Sequence, residues 1–141
     1  MRIPILFKTV VSFLLVLGFI ACNKNSQQSK TDLLTSKTWV YDEYIVNFNT
    51  GNSTLAYKKG KMNNSIDLSL SQVTFKSDGT YNEIVADGSQ HTGTWNFLNN
   101  ETQYIAHGFN YTATADIIIL TSTRFVWNDV TANIYGEYIP K

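Results

Sequence analysis

Few residues in this 141-residue sequence have the types and spacing that a chemical reaction requires. The two histidines, His91 and His107, have no Cys, His or paired carboxylate near them at the spacing of metal ligands. Asp42 and Glu43 are adjacent, but they fall in a predicted strand, where consecutive side chains point to opposite faces. The sequence contains neither a nucleophile elbow nor a phosphate-binding loop. We therefore predict no catalytic residue, no metal site and no cofactor, and we expect the protein not to be an enzyme.

Glu83 is the acidic residue whose surroundings are most informative. The hairpin pairing described below places it on an aromatic face, opposite Gly93. A buried carboxylate is costly unless it is paired, so this position indicates an interior that is open, wet or facing a ligand. The alternative is a β-bulge that turns Glu83 outward, because a slip of one residue moves a strand's side chains to the other face.

The only cysteine, Cys22, ends a segment typical of export signals. Arg2 and Lys8 precede an uncharged, mostly apolar stretch that runs to Cys22, and polar residues 23–30 follow it. A membrane-spanning helix needs about 20 apolar residues, and this stretch is shorter. Residues 1–21 are therefore predicted to be a cleavable signal peptide.

The end of this segment, Phe19-Ile20-Ala21-Cys22, resembles the lipobox of bacterial lipoproteins. In that family the cysteine receives a diacylglycerol, the signal is cut before it and the new amine is acylated. The resemblance implies that Cys22 is lipidated and holds the protein on a membrane through a flexible tether, residues 22–31. Asn23 stands where the inner-membrane retention signal has Asp, and no acidic cluster follows, so the resemblance implies the periplasmic face of the outer membrane. The alternative is a chance cysteine within a signal peptide.

The mature chain has the size of one domain and little net charge. Loss of Arg2 and Lys8 with the signal leaves nine basic residues against 11 acidic ones. This balance does not indicate a nucleic-acid partner. Because Cys22 is the only cysteine, the domain has no disulfide, and we expect a monomer stabilised by its core alone.

Residues 32–141 read as an all-β domain. Stretches rich in Val, Ile, Thr, Tyr, Phe and Trp alternate with clusters of Gly, Asn, Asp and Ser, and the only helical signal is one turn at residues 32–34. Strands are predicted near residues 38–48, 54–61, 67–76, 80–86, 90–98, 102–107, 111–120, 123–129 and 132–138.

Two tight turns set the predicted registers of the middle strands. The turn at residues 78–79 places Phe75 opposite Tyr81, and the turn at 87–89 places Tyr81 opposite Trp95 and Glu83 opposite Gly93. Polar residues alternate with these along the strands, as in a sheet with one solvated face. The shared inner face is predicted to carry Val73, Phe75, Tyr81, Val85, Trp95 and Phe97.

Such a meander either closes or leaves edges that must be protected, and closure is the simpler solution at this size. We therefore predict an up-and-down antiparallel β-barrel of about eight strands, preceded by a short helical turn. Residues 33–39, 75–81, 93–95 and 118–125 are similar to the lipocalin-like domains of bacterial lipoproteins. That resemblance spans about residues 33–127, and it implies a barrel whose base is closed by Trp39.

Two functions are compatible with this sequence. The first is a carrier whose cavity holds a small apolar or amphipathic ligand. The second is a non-catalytic envelope module that binds a protein or glycan through its surface and has a packed interior. The volume of the barrel interior distinguishes them. For the carrier, the predicted ligand-binding residues are Tyr81, Glu83, Val85, His91, Trp95 and Phe97.

Overall fold

The computed structural model describes residues 28–141, which form one short helix and nine β-strands. The helix, α1 (Lys30–Thr35), is capped by Ser29, whose hydroxyl accepts a hydrogen bond from the backbone N–H of Asp32 at 3.0 Å. No helix in this part of the chain has the length and apolar content needed to cross a bilayer. The predicted signal peptide and Cys22 lie outside the described residues. The strands are β1 (Thr38–Val46), β2 (Thr54–Lys58), β3 (Gln72–Phe75), β4 (Thr80–Ile84), β5 (Gln90–Leu98), β6 (Gln103–His107), β7 (Thr112–Leu120), β8 (Phe125–Asp129) and β9 (Ile134–Pro140).

Eight of these strands form a closed antiparallel barrel. The order around it is β1, β3, β4, β5, β6, β7, β8 and β9, and β9 pairs with β1 along residues 39–46 to close the sheet. The predicted fold class, an up-and-down β-barrel of about eight strands with a short N-terminal helical turn, is confirmed. We call the end that carries α1 the closed end and the opposite end the open end.

The ninth strand, β2, shares one edge of β1 with β3. Residues 43–46 of β1 pair with β2, and residues 38–40 pair with β3, so the two strands lie end to end along the same neighbour. Residues 59–71 leave the wall between them. This excursion begins with Gly60 in the left-handed region, and Asn64 closes its base by accepting a hydrogen bond from the Lys58 backbone at 2.9 Å. The wall of the barrel is therefore interrupted between β2 and β4.

Of the two predicted hairpin registers, the first is confirmed and the second is wrong by two residues. Phe75 pairs with Tyr81, as predicted, but Tyr81 pairs with Gly93 and Glu83 pairs with His91. The reason is that the turn is centred one residue earlier, on residues 86–88: the Val85 N–H donates to the Ser89 carbonyl, and Gly88 takes a positive φ. A shift of two residues preserves the face of each side chain, so the predicted inner face survives the error.

The core fills the closed half of the barrel. Phe75 packs edge-on against Trp95 and Phe125, with ring centroids 5.5 and 6.2 Å apart. Below them lies Trp39, which is fully buried, and its indole N–H donates to the Leu34 carbonyl at 2.8 Å. Leu34 projects from α1 and is itself fully buried, so the helix covers the closed end.

Candidate binding cavity

A cavity of about 370 Å³ occupies the open half of the barrel, above the aromatic core. Tyrosines supply much of its wall, together with apolar side chains and two carboxylates, Glu83 and Asp129. Its volume falls in the range of small-molecule sites, about 300–1,000 Å³. The tyrosines are Tyr41, Tyr44, Tyr81, Tyr104, Tyr111 and Tyr138.

Two glycines allow large rings to lie against the wall instead of across the interior. A Cβ on Gly93 would come within 2.5 Å of the Tyr81 ring, and a Cβ on Gly136 within 2.4 Å of the Trp127 ring. Both rings therefore lie directly over glycine backbone. Alanines at three other lining positions, Ala106, Ala113 and Ala132, take little space. These small residues keep the open half hollow although it is rich in aromatic side chains.

A chain of hydroxyl groups reaches Glu83 near the open end. The Tyr81 and Tyr111 hydroxyls are 2.8 Å apart, and the Tyr111 hydroxyl donates to the Glu83 carboxylate at 3.0 Å. Burial raises the pKa of Tyr111, and its hydrogen bond with Tyr81 raises it further. Tyr111 comes from the β6–β7 loop, where its ring lies over Gly108. Glu83 thus faces the interior, as the hairpin pattern predicted.

Asp129 supplies a second carboxylate from the other side of the barrel. It ends β8, which is four positions from β4 in an eight-stranded barrel, so Asp129 and Glu83 lie on opposite walls. Asp129 is buried, with 8% of its surface exposed, and one oxygen accepts a hydrogen bond from the Ala132 N–H at 2.8 Å. That bond also fixes the turn between β8 and β9.

Further polar groups in the wall are phenols and one indole. The Tyr41 and Tyr138 rings lie 4.4 Å apart between centroids. Burial raises the pKa of both phenols, and it raises that of Tyr104 well above the usual value. The Trp127 indole N–H is buried without a hydrogen-bond partner among the described residues. The wall therefore presents an unused donor as well as acceptors.

The predicted ligand-binding residues lie in four places: the cavity, a side pocket, the open end and the packed core. Tyr81 and Glu83 line the cavity. Val85 lies in an adjoining side pocket at the break in the barrel wall, beside Leu68 and Ala86. His91 stands at the open end, where its ring stacks on Phe109 with centroids 5.0 Å apart.

Trp95 and Phe97 belong to the packed core. Their rings meet at 5.2 Å between centroids, and the Trp95 indole N–H donates to the Lys76 and Thr80 carbonyls. Neither residue lines the cavity. Sequence reasoning missed most of the wall, because it paired only β3, β4 and β5. The missed residues include Tyr41, Tyr44, Tyr104, Tyr111, Trp127, Asp129 and Tyr138.

The prediction that Asp42 and Glu43 point to opposite faces is wrong. The register of β1 against β9 shifts between Tyr41 and Glu43, which marks a bulge. Both carboxylates therefore reach Lys58, whose Nζ lies 2.7 Å from Asp42 and 3.2 Å from Glu43. They form a surface ion-pair cluster with that lysine. Within residues 28–141, no group of three His, Cys, Asp or Glu side chains could hold a metal ion.

Comparison with known proteins supports the fold. No known family profile matches the chain. No curated protein matches it in sequence. The solved structures that are similar in shape include two proteins from Bacteroides species. One is a DUF4847 family protein from Bacteroides vulgatus, with 14% identity, a TM-score of 0.55, and coverage of 79% of this chain and 96% of that one. The other is a lipocalin-like protein from Bacteroides uniformis, with 10% identity, a TM-score of 0.53, and coverage of 77% of this chain and 99% of that one.

The fold is lipocalin-like. At these identities the similarity concerns the fold alone and carries no ligand, substrate or partner from one protein to another.

Proposed function

We propose that this protein is a non-catalytic carrier that binds a small amphipathic molecule inside its barrel. The observation that carries the proposal is the 370 Å³ cavity lined by aromatic, aliphatic and hydrogen-bonding groups. Protein interiors are packed as densely as organic crystals and contain few voids larger than a water molecule. An interior space of this size, with few polar groups on an apolar wall, has the features of a ligand site.

The same observation disfavours the second function, an interaction module with a packed interior. The closed half of the barrel is packed around Trp39 and Phe75, and that half already provides a core. The open half adds two carboxylates that have no cationic partner and an indole N–H that has no hydrogen-bond partner among the described residues, and such groups are costly to bury. A ligand or water in the cavity offsets that cost.

The test of binding fills the cavity with one side chain. Ala113 lines the cavity, whereas its neighbour Thr114 points outward and is exposed. We expect wild-type protein purified from envelope extracts to retain a bound small molecule in native mass spectrometry, and we expect Ala113→Phe to lose it. Thr114→Phe adds the same ring to the outer face and should retain it. Wild-type protein without bound mass, or equal retention by Ala113→Phe, contradicts the carrier function and favours binding through the surface.

We further propose that the carrier is tethered by lipidated Cys22 to the periplasmic face of the outer membrane. Support comes from the lipobox resemblance and from the polar residues that follow Cys22 in the sequence. More than one acyl chain gives stable anchoring, since each buried CH₂ contributes about 0.8 kcal/mol.

Metabolic labelling tests the anchor directly. Cells grown with a labelled fatty acid should incorporate label into the wild-type protein but not into Cys22→Ala. An immunoblot for equal amounts of both proteins serves as the control. Label retained on Cys22→Ala contradicts lipidation at this residue.

A further inference from the structure

The charged groups that face the cavity all have the same sign. Its lining includes the carboxylates of Glu83 and Asp129, and no Lys, Arg or His among the described residues lines it. Neither carboxylate forms an ion pair within residues 28–141. His91, the cross-strand partner of Glu83, is instead stacked on Phe109 and hydrogen-bonded to Ser89 at 3.1 Å. Two carboxylates thus face the interior without a protein cation to neutralise them.

Both carboxylates line the same cavity. Glu83 is the fourth of five residues in β4 and Asp129 is the last residue of β8, so both stand near the open end on opposite walls. Tyrosine rings line the wall between them, including Tyr41, Tyr44 and Tyr138. An aromatic face attracts a cation within about 6 Å of its centroid, and a carboxylate does so more strongly when both are partly withdrawn from water.

The deeper wall suits an apolar body. Phe75, Tyr104 and Trp127 lie toward the packed core, and Ala106 leaves room beside them. The unpartnered Trp127 N–H can donate to an oxygen or to a π system on that body. The arrangement combines a negatively charged mouth with an aromatic interior.

Anionic amphiphiles fit this arrangement poorly. A carboxylate or phosphate buried in the cavity would find hydroxyl donors, but it would lie between two like charges with no Lys or Arg to pair with. Arg124 and Lys58, which do pair with carboxylates, lie on the outer surface, where they bind Glu137 and Asp42. On the basis of the proposed carrier function, we propose that the cavity selects organic cations, amines or quaternary ammonium groups on an apolar body, over neutral and anionic analogues.

Three probes that share one skeleton test this selectivity: 4-phenylbutylamine, 4-phenylbutan-1-ol and 4-phenylbutanoate. Each is titrated calorimetrically at pH 7 into the full-length protein held in lipid nanodiscs, with empty nanodiscs as the blank. We expect the amine to bind at least tenfold more tightly than the alcohol, a difference of about 1.4 kcal/mol. The carboxylate should bind more weakly than the alcohol.

Neutral variants assign the preference to the two carboxylates. Glu83→Gln and Asp129→Asn should each weaken amine binding about tenfold and leave alcohol binding within twofold. Asn at 129 keeps an oxygen for the Ala132 N–H, and circular dichroism verifies that each variant is folded. Glu101→Gln is the matched control, since it changes net charge equally at an exposed position near the closed end, and it should leave amine binding unchanged.

The outcomes separate the two proposals. If the alcohol or the carboxylate binds as tightly as the amine, the cation preference is overturned while the carrier function stands. If Glu101→Gln weakens binding as much as Glu83→Gln, a general charge effect replaces the proposed site. If none of the three probes binds, the cation preference is overturned, whereas the carrier function is decided separately by the bound mass of the wild type and its loss in Ala113→Phe.

Discussion

At the residue scale, Trp95 shows how one side chain joins burial to hydrogen bonding. It has 6% of its surface exposed, packs against Phe75 and Phe97, and donates its indole N–H to the Lys76 and Thr80 carbonyls. Trp95→Ala should therefore lower the free energy of unfolding by about 3–5 kcal/mol, as large-to-small core substitutions do. Urea denaturation monitored by circular dichroism measures the change.

Thr94 provides the control for this prediction. It precedes Trp95 on the same strand but is exposed on the outer face. Thr94→Ala should change the free energy of unfolding by no more than about 0.5 kcal/mol. Equal effects of the two substitutions would mean that the assignment of inner and outer faces on β5 is wrong.

Gly93 and Gly136 cannot be replaced by a larger residue without strain, because a large ring packs directly against each of them. A methyl group on Gly136 would meet the Trp127 ring at 2.4 Å, so Gly136→Ala must push that ring into the cavity or move the backbone. We expect a loss of about 1–3 kcal/mol in unfolding free energy, and weaker retention of bound ligand. Gly51→Ala is the control, because a methyl group there has no neighbour within 4 Å. Native mass spectrometry together with urea denaturation tests both effects, and a fully stable Gly136→Ala protein would contradict them.

The positions of single residues could be predicted only where a local turn determined them. Glu83 and Tyr81 were assigned to the interior correctly because the error in the second hairpin was two residues, which keeps each side chain on its face. Asp129 and Trp127 were missed, since their neighbours in the cavity come from strands far away in the sequence. Tyr111 was missed because the strand predicted at residues 111–120 was assigned no partner and no inner face, and in the structure Tyr111 reaches the cavity from the loop before β7.

At the element scale, helix α1 acts as the cover of the closed end. Leu34 is fully buried and its carbonyl accepts the Trp39 indole N–H, so the helix is joined to the core by both apolar and polar contacts. Leu34→Ala should cost about 2–5 kcal/mol of unfolding free energy. Leu55→Ala, the same substitution at an exposed site on β2, should cost much less. Thermal unfolding of both variants gives the comparison, and equal shifts would argue against a covering role for α1.

The strands themselves could be predicted, but their irregularities could not. Alternation and turn residues located all nine strands, because each short apolar run is bounded by Gly, Asn or Asp. The bulge in β1 and the position of β3 beside β1 depend on the pairings of β1 with β9 and of β1 with β3. Those pairings join residues that are far apart in the sequence, so local alternation and turn residues do not predict them.

At the scale of the whole molecule, the need to protect strand edges predicts a closed barrel, but it does not predict which side chains fill the interior. A meander of short strands has an edge at each end, and pairing β1 with β9 closes the sheet except at the break between β2 and β4. Closure also encloses whatever the inner face carries. In this chain that face is packed toward α1 and hollow toward the open end, a division set by where glycine and alanine occur among the aromatic residues.

The buried tyrosines make the stability of the whole domain sensitive to alkaline pH. Burial raises the pKa of Tyr41, and raises those of Tyr104 and Tyr138 well above the usual value. In the unfolded chain these phenols ionise near pH 10, so above that pH the unfolded state binds fewer protons than the folded state. The contribution of these tyrosines to the free energy of unfolding is therefore fully present below about pH 10. Above that pH the free energy of unfolding falls by about 1.4 kcal/mol per pH unit for each such tyrosine.

Because domains of this size are stable by about 5–15 kcal/mol and the three tyrosines together remove about 4 kcal/mol per pH unit, we expect the domain to unfold at some pH above about 11. Tyrosinate absorbance at 295 nm and far-UV circular dichroism should then change together, since these phenols ionise as the barrel opens. Tyr104→Phe removes one ionising group, so its stability should fall less steeply above pH 10 while the pH dependence below pH 10 stays that of the wild type. Complete tyrosine ionisation near pH 10 with an unchanged β spectrum would contradict the prediction, because it would mean that solvent reaches every phenol in the folded barrel.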